Sequence, residues 1–193
     1  MNLLAHLLLA DRSNTSFAGQ ILGDEIKGWL DDRFAPRTRH GIKLHRAIDR
    51  HSDDHALHRT LRQRFNPPLR RYAGIVVDIG LDHALARQWH RFHDESLPVF
   101  ARRAQTRVIT EWPDDAPFSA DRLRGLSSVL VGYAQPEGIK RALDSVKRRL
   151  RRQNPVGDAL PELLALNEAF DASIAPLLAE LEQVVRELDS ERK

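Results

Sequence analysis

Between Gly74 and Leu85 the chain reads Gly-Ile-Val-Val-Asp-Ile-Gly-Leu-Asp-His-Ala-Leu, so that Asp78 and Asp82 stand four residues apart in an otherwise apolar stretch, with His83 beside the second. In a helix that spacing puts both carboxylates on one face, a turn apart. The apolar surroundings take them inside, where a lone ionised carboxylate costs several kcal/mol unless it is paired, hydrogen-bonded or bound to a cation. Two like charges this close repel, and a bridging cation relieves them. The alternative is a buried Asp–Arg or helix-capping network.

A second stripe lies upstream. His45, Asp49 and Asp53 are again spaced by four, and imidazole with carboxylate along one face suits hard or borderline divalent ions. Arg46, one residue round, could hold a phosphate by its planar fork. The same residue types also make solvated salt bridges on helix surfaces. Two isolated polar residues interrupt apolar N-terminal segments: His6 within Leu3 to Leu9, and Asp24 between Gly23 and Gly28. Glycines inside a helix cost about 1 kcal/mol each relative to Ala, and they allow close approach of another backbone or a ligand. Lys27 is near enough in sequence to reach the same pocket.

Other chemistries lack their residues. There is no cysteine, hence no thiolate nucleophile, disulfide framework or cysteine metal site. No glycine-rich phosphate loop, zinc-protease histidine pair or serine elbow occurs. Metal-assisted hydrolysis on His and Asp remains.

The elements that must carry these groups are helical. Apolar residues recur at three- and four-residue spacing with no sustained alternation, which predicts an all-α, single-domain helical bundle spanning residues 1–193. The expected helices run from Asn2 to Ala10, from about Thr15 to Leu30, and from about Thr38 through Asp53 with a bend before His55 to Phe65. A long helix launched at Asn66-Pro67-Pro68 runs to about Phe92. Further helices are expected at Pro98 to Thr110, from Ser119 to near Gln135, from Pro136 to near Asn154, and from Asp158 to Leu188, with fraying beyond.

The 193 residues are 41% apolar and 30% charged, with a formal net charge of +3. That composition fits a globular protein with no membrane span and no signal peptide, which predicts a cytoplasmic location. The positive charge is uneven. Lys140 to Arg152 gathers seven basic residues against one acid, a run suited to an anionic partner.

Taken in order, Met1-Asn2-Leu3-Leu4-Ala5-His6, Gly19 with Leu22-Gly23-Asp24 and Gly28, Gly41-Ile42 with His45-Arg46 and Ile48-Asp49, Asp53, and Asp78 with Asp82-His83 and Trp89 resemble the acyl carrier protein phosphodiesterases. The resemblance covers the first half of the chain. It implies an all-helical, HD-domain-like metal-dependent phosphohydrolase that uses a divalent ion, manganese first and magnesium as the alternative. The implied reaction cleaves the phosphodiester joining 4′-phosphopantetheine to a serine of holo acyl carrier protein, an acidic protein substrate, and needs neither nucleic acid nor membrane. It points to His6, Asp24, His45, Asp49, Asp78, Asp82 and His83 as the site. Within that set we expect Asp24, Asp78, Asp82 and His83 to hold the metal, and His6, His45, Asp49 and Arg46 to serve catalysis. The order Asp82-His83 is reversed from the His-Asp doublet of HD enzymes. Two alternatives are an HD-like hydrolase of a nucleotide or small phosphoester and, more weakly, a basic nucleic-acid-binding module that leaves Asp78 and Asp82 without a purpose.

Overall fold

The computed structural model describes residues 3–150 and 152–190. Among them it holds ten α-helices and no strand: α1 (Leu3–Arg12), α2 (Phe17–Glu25), α3 (Pro36–Asp54), α4 (Ala56–Gln63), α5 (Ala73–Arg87), α6 (Leu97–Thr110), α7 (Leu126–Gly132), α8 (Pro136–Arg149), α9 (Leu160–Ala165) and α10 (Asn167–Ser190). The all-α expectation from periodicity holds. The Asn2 start of the first helix, Arg151 of the basic run and residues 191–193 lie outside the described residues; Asp189 and Ser190, the start of the expected fraying, are still helical.

Helix α5 is the axis of the bundle. Its sequence is apolar all round, and eleven of its fifteen residues are buried, from Ala73 to Ala86, as a helix without a polar face must be. It packs on α1, α4, α8, α9 and α10. Gly80 lets α10 approach, since a Cβ there would fall 2.4 Å from the Phe170 ring. Helix α1 is as deeply placed, with Leu4 through Ala10 all buried. Together these two helices bring polar residues into the interior on apolar carriers.

Helices α2 and α3 form the closest pair. They meet at two glycines: a Cβ on Gly19 would lie 2.7 Å from the Gly41 Cα. The start of α2 is fixed by the Ser16 hydroxyl, which accepts from the Gly19 N–H at 3.0 Å, and by Glu111 of the segment after α6, which accepts from the Phe17 N–H at 2.7 Å. A carboxylate at a helix N-terminus satisfies orphan donors and complements the dipole.

Boundaries differ from expectation where single residues decide them. Helix α2 stops at Glu25 rather than Leu30: Ile26 is already extended, at φ −87 and ψ 113, and the chain then turns through Gly28 at φ +76, a conformation that side chains with a Cβ resist. Residues 26–35 are therefore a loop. The helix expected from Asn66 begins at Ala73, after a 3₁₀ turn at Leu69–Tyr72. The last expected segment is two helices, α9 and α10.

Candidate active site

Three helices converge on one carboxylate. Helix α1 brings His6, α2 brings Gln20 and Asp24, and α3 brings His45 and Asp49. The His6 and His45 rings stack with centroids 4.1 Å apart and planes 22° from parallel. His6 Nε2 lies 2.9 Å from Asp49 Oδ1, and His45 Nε2 lies 3.1 Å from Asp49 Oδ2 and 3.5 Å from Asp24 Oδ1. Gly23 makes room for this arrangement: a Cβ there would fall 2.2 Å from the His45 ring. Both imidazoles are buried, whereas the side chains of Asp49 and Asp24 are 36% and 71% exposed. The cluster is thus closed behind the rings and open on the carboxylate side.

The two rings are driven apart in proton affinity. Burial lowers the pKa of His6, and the neighbouring His45 adds to this, outweighing Asp49. Burial also opposes charge on His45, but its hydrogen bonds to Asp24 and Asp49 win and raise its pKa to about 9. Asp49 is buried enough to disfavour its charge, yet the hydrogen bonds from His45 and His6 hold it far below the ordinary carboxylate range. Asp24 is held low against its own desolvation, mainly by His45. At neutral pH the set reads as one imidazolium, one neutral imidazole and two carboxylates.

The neutral ring carries the argument for a cation. Gln20 Oε1 lies 3.0 Å from His6 Nδ1 and Asp49 Oδ1 lies 2.9 Å from Nε2, so a ring with one proton faces an oxygen acceptor at each nitrogen. In the metal-free protein Nε2–H is donated to Asp49, and a cation in its place would leave the proton on Nδ1, bonded to Gln20. Two acceptors in contact need a proton or a cation between them. An outer acceptor that fixes the tautomer is the usual support of a metal-binding histidine. His6, His45 and Asp49 offer ligand atoms within 4.8 Å of one another, and this nitrogen and oxygen donor set fits a borderline divalent ion.

The structure does not gather Asp78, Asp82 and His83 at one point. Asp82 is fully buried, with Oδ2 accepting from the Leu4 N–H at 2.6 Å and Oδ1 from the Ala5 N–H at 3.1 Å. It caps α1, which is the capping alternative weighed above. Burial pushes its pKa up to about 7 against those two donors. His83, about 100° further round the helix, points away and donates Nδ1–H to the Tyr133 carbonyl at 2.6 Å; burial lowers its pKa. Asp78, a turn before Asp82, accepts from His58 Nε2 at 3.0 Å. Its own burial is outweighed by cationic and hydrogen-bonding neighbours, His58 among them, which hold its pKa low. Asp53 stands 4.0 Å from the same His58 nitrogen, making a second His/Asp grouping one turn along α3 from Asp49.

Arg46 turns outward from the rings. Its guanidinium donates to the carbonyls of Ile26 at 2.6 Å and Gly28 at 2.9 Å, tying the loop after α2 to α3. A third grouping, His51, His55 and Glu180, is a helix-capping device: His55 Nδ1 accepts from the Leu57 N–H at 3.1 Å, which leaves the proton on Nε2 to be donated to Glu180 at 3.0 Å. Sequence reasoning overlooked Gln20 and His58. Gln20 stands four residues before Asp24 on α2, and that spacing was the available signal. His58 follows Asp53 by five residues across a helix break, and no helical spacing marks it.

A family model described as acyl carrier protein phosphodiesterase matches residues 1–181. The chain belongs to that family. Relatives named acyl carrier protein phosphodiesterase from Escherichia coli strains HS, SMS-3-5 and K12 are each 32% identical over 174 residues, covering 89% of this chain and 90% of the relative. The match runs through α1, α2 and α3, which carry the candidate site, and on into α10. No solved structure matches the chain. No helix among the described residues is long and apolar enough to cross a membrane.

Proposed function

We propose that the chain hydrolyses the phosphodiester between 4′-phosphopantetheine and the serine of holo acyl carrier protein, with a divalent ion, manganese before magnesium, at the His6–His45–Asp49 cluster. The supporting observation is the pair of stacked imidazoles on one carboxylate whose proton affinities are pushed in opposite directions, in a chain of the acyl carrier protein phosphodiesterase family. Titratable neighbours held apart in this way supply an acid and a base-side group at one pH.

His6 and Asp49 would hold the ion, and Asp24 faces the same opening. A divalent ion there would lower the pKa of water and offset charge on the phosphate. Asp24, ionised and exposed, accepts a hydrogen bond from the attacking water and orients it toward phosphorus. As the new O–P bond forms, the water's proton passes through Asp24 to solvent. His45, which Asp24 and Asp49 favour as the imidazolium against its burial, donates Nε2–H to the serine oxygen as the old P–O bond breaks. Asp49 holds both rings in register. The products are apo carrier protein and 4′-phosphopantetheine. Clustered His and Asp on a helical frame are compatible with HD-type kinship, and the reading places the enzyme in the cytoplasm.

Mass spectrometry of holo acyl carrier protein, before and after incubation with the enzyme and manganese, tests this. Loss of the prosthetic group that stops in chelator is the expected result. An intact carrier alongside hydrolysis of a nucleotide would move the assignment to the small-phosphoester alternative, and full activity in chelator would remove the ion.

A further inference from the structure

The most exposed large apolar side chain among the described residues is Trp29, 89% open to solvent. It sits on the loop of residues 26–35, and that loop is not loose. On either side of Trp29, Ile26 and Leu30 pack on the small core of Leu22, Phe34 and Ile42. Arg46 bonds the carbonyls of Ile26 and Gly28. The fold thus fixes the backbone from several directions and leaves its tryptophan without cover. A rigid aromatic held in water costs little conformational entropy to bury, which is why such side chains anchor interfaces.

The surroundings of Trp29 specify the sign of what covers it. Lys43, Arg46 and Arg50 share one face of α3 by their spacing, adjoining the face that carries His45 and Asp49. Lys27, Lys43 and Arg50 are exposed, and among the described residues none makes an ion pair or hydrogen bond. The neighbouring acids Asp31 and Asp32 are taken by Arg33 and Arg39, leaving Glu25, and the Asp54 and Glu187 that line a groove with Arg50. Within the basic run of α8, Lys140 is paired with Asp144 and Lys147 lies 3.6 Å from Asp158, while Arg141, Arg148 and Arg149 are exposed. What separates the two is place: α8 packs on the 3₁₀ turn Val156–Asp158 and on α7, α5 and α9, away from the pairing of α2 with α3.

We propose that Trp29, with Lys27 on its loop and Lys43 and Arg50 about a turn to either side of the Arg46 that ties that loop, is the docking surface for an acidic protein, and that this protein is the carrier whose prosthetic group enters the adjoining site. The proposal rests on the function proposed above for its choice of partner. Unpaired cations beside an open aromatic match an acidic surface, and their place next to Asp24 and His45 sets the docked protein over the opening. The α8 run is then a solvated face.

Titration calorimetry of holo acyl carrier protein binding, with calcium in place of manganese to slow turnover, compares the wild type with W29A, the double variant K43E/R50E and the α8 double variant R148E/R149E. Cleavage is followed separately by mass spectrometry. Trp29 is exposed, so W29A should keep the wild-type circular dichroism and melting temperature. About tenfold weaker binding in W29A and in K43E/R50E is expected, with wild-type affinity in R148E/R149E. Hydrolysis of bis(4-nitrophenyl) phosphate should stay unchanged in all three, placing the effect in recognition rather than chemistry. Wild-type affinity in W29A and K43E/R50E overturns the docking surface even if cleavage is intact. A loss confined to R148E/R149E moves docking to α8 and overturns it too. Absence of cleavage with tight, patch-dependent binding rejects the proposed reaction and leaves the surface standing; absence of both rejects both.

Discussion

Asp49 holds two imidazoles at once, and its removal should undo both. In D49N the His6 contact loses its charge partner and His45 loses one of the two acceptors that keep it protonated. Turnover of holo carrier protein should fall by at least about a hundredfold, the scale of a lost general acid, with little change in the far-ultraviolet spectrum. Wild-type turnover in D49N would remove the cluster from the chemistry. The same residues give a signed pH dependence in the metal-free protein. His45 has a folded pKa raised to about 9 from 6.5, so its contribution to stability is complete below about pH 6.5 and is lost as pH rises through about 9. Asp49 is lowered, so its share is complete above the ordinary carboxylate value and is lost in acid. In chelator, then, the destabilisation caused by H45Q should be greatest between about pH 4 and 6.5, and should vanish above pH 9. Urea titrations across that range would refute the pairing if the difference were flat. The sequence displayed most of these residues but not their grouping. It showed that buried carboxylates on α5 needed partners, and a one-dimensional pattern cannot tell a cation from the N–H groups of another helix. For Asp82 the partner is α1. His83 looked like part of the set because it is adjacent in sequence, yet in a helix adjacent residues point in different directions.

At the scale of elements, the contacts that place the rings are backbone contacts. Asp82 satisfies two of the orphan donors of α1, so D82N, which keeps the size but replaces one acceptor by a donor, should cost about 1–3 kcal/mol of stability. Ion affinity should fall far less than in D49N, which isothermal titration with manganese would show; an equal loss would restore Asp82 as a ligand. The crossing of α2 and α3 at Gly19 and Gly41 is equally strict. A methyl at Gly41 would meet the Gly19 Cα at 3.0 Å, and forcing the helices apart should cost about 1–3 kcal/mol while widening the gap between Asp24 and His45. A G41A variant with unchanged melting temperature and turnover would count against that geometry. The helical elements were legible because apolar spacing records burial directly. The end of α2 was not, since an apolar pattern that continues does not mark where the backbone extends at Ile26 and turns through Gly28, and the loop so formed carries Trp29.

For the whole molecule, a ligand that binds only the folded state raises its stability by mass action. Manganese at about a hundred times its dissociation constant should add about 2.7 kcal/mol, seen as a higher melting temperature that D49N does not share. A shift of the same size in D49N would place the ion elsewhere. The all-α architecture was readable from the chain. The division of its positive charge between a partly neutralised α8 and an open face beside the site was not, because ion pairing depends on neighbours that only the fold supplies. The cap on α1 also bears on the order in which the molecule takes shape. Its two hydrogen bonds join residues 78 and 77 apart in sequence. The start of α1 is therefore secured only once α5 has packed against it, and the placement of His6 waits on a helix that brings no residue of its own to the His6–His45–Asp49 cluster.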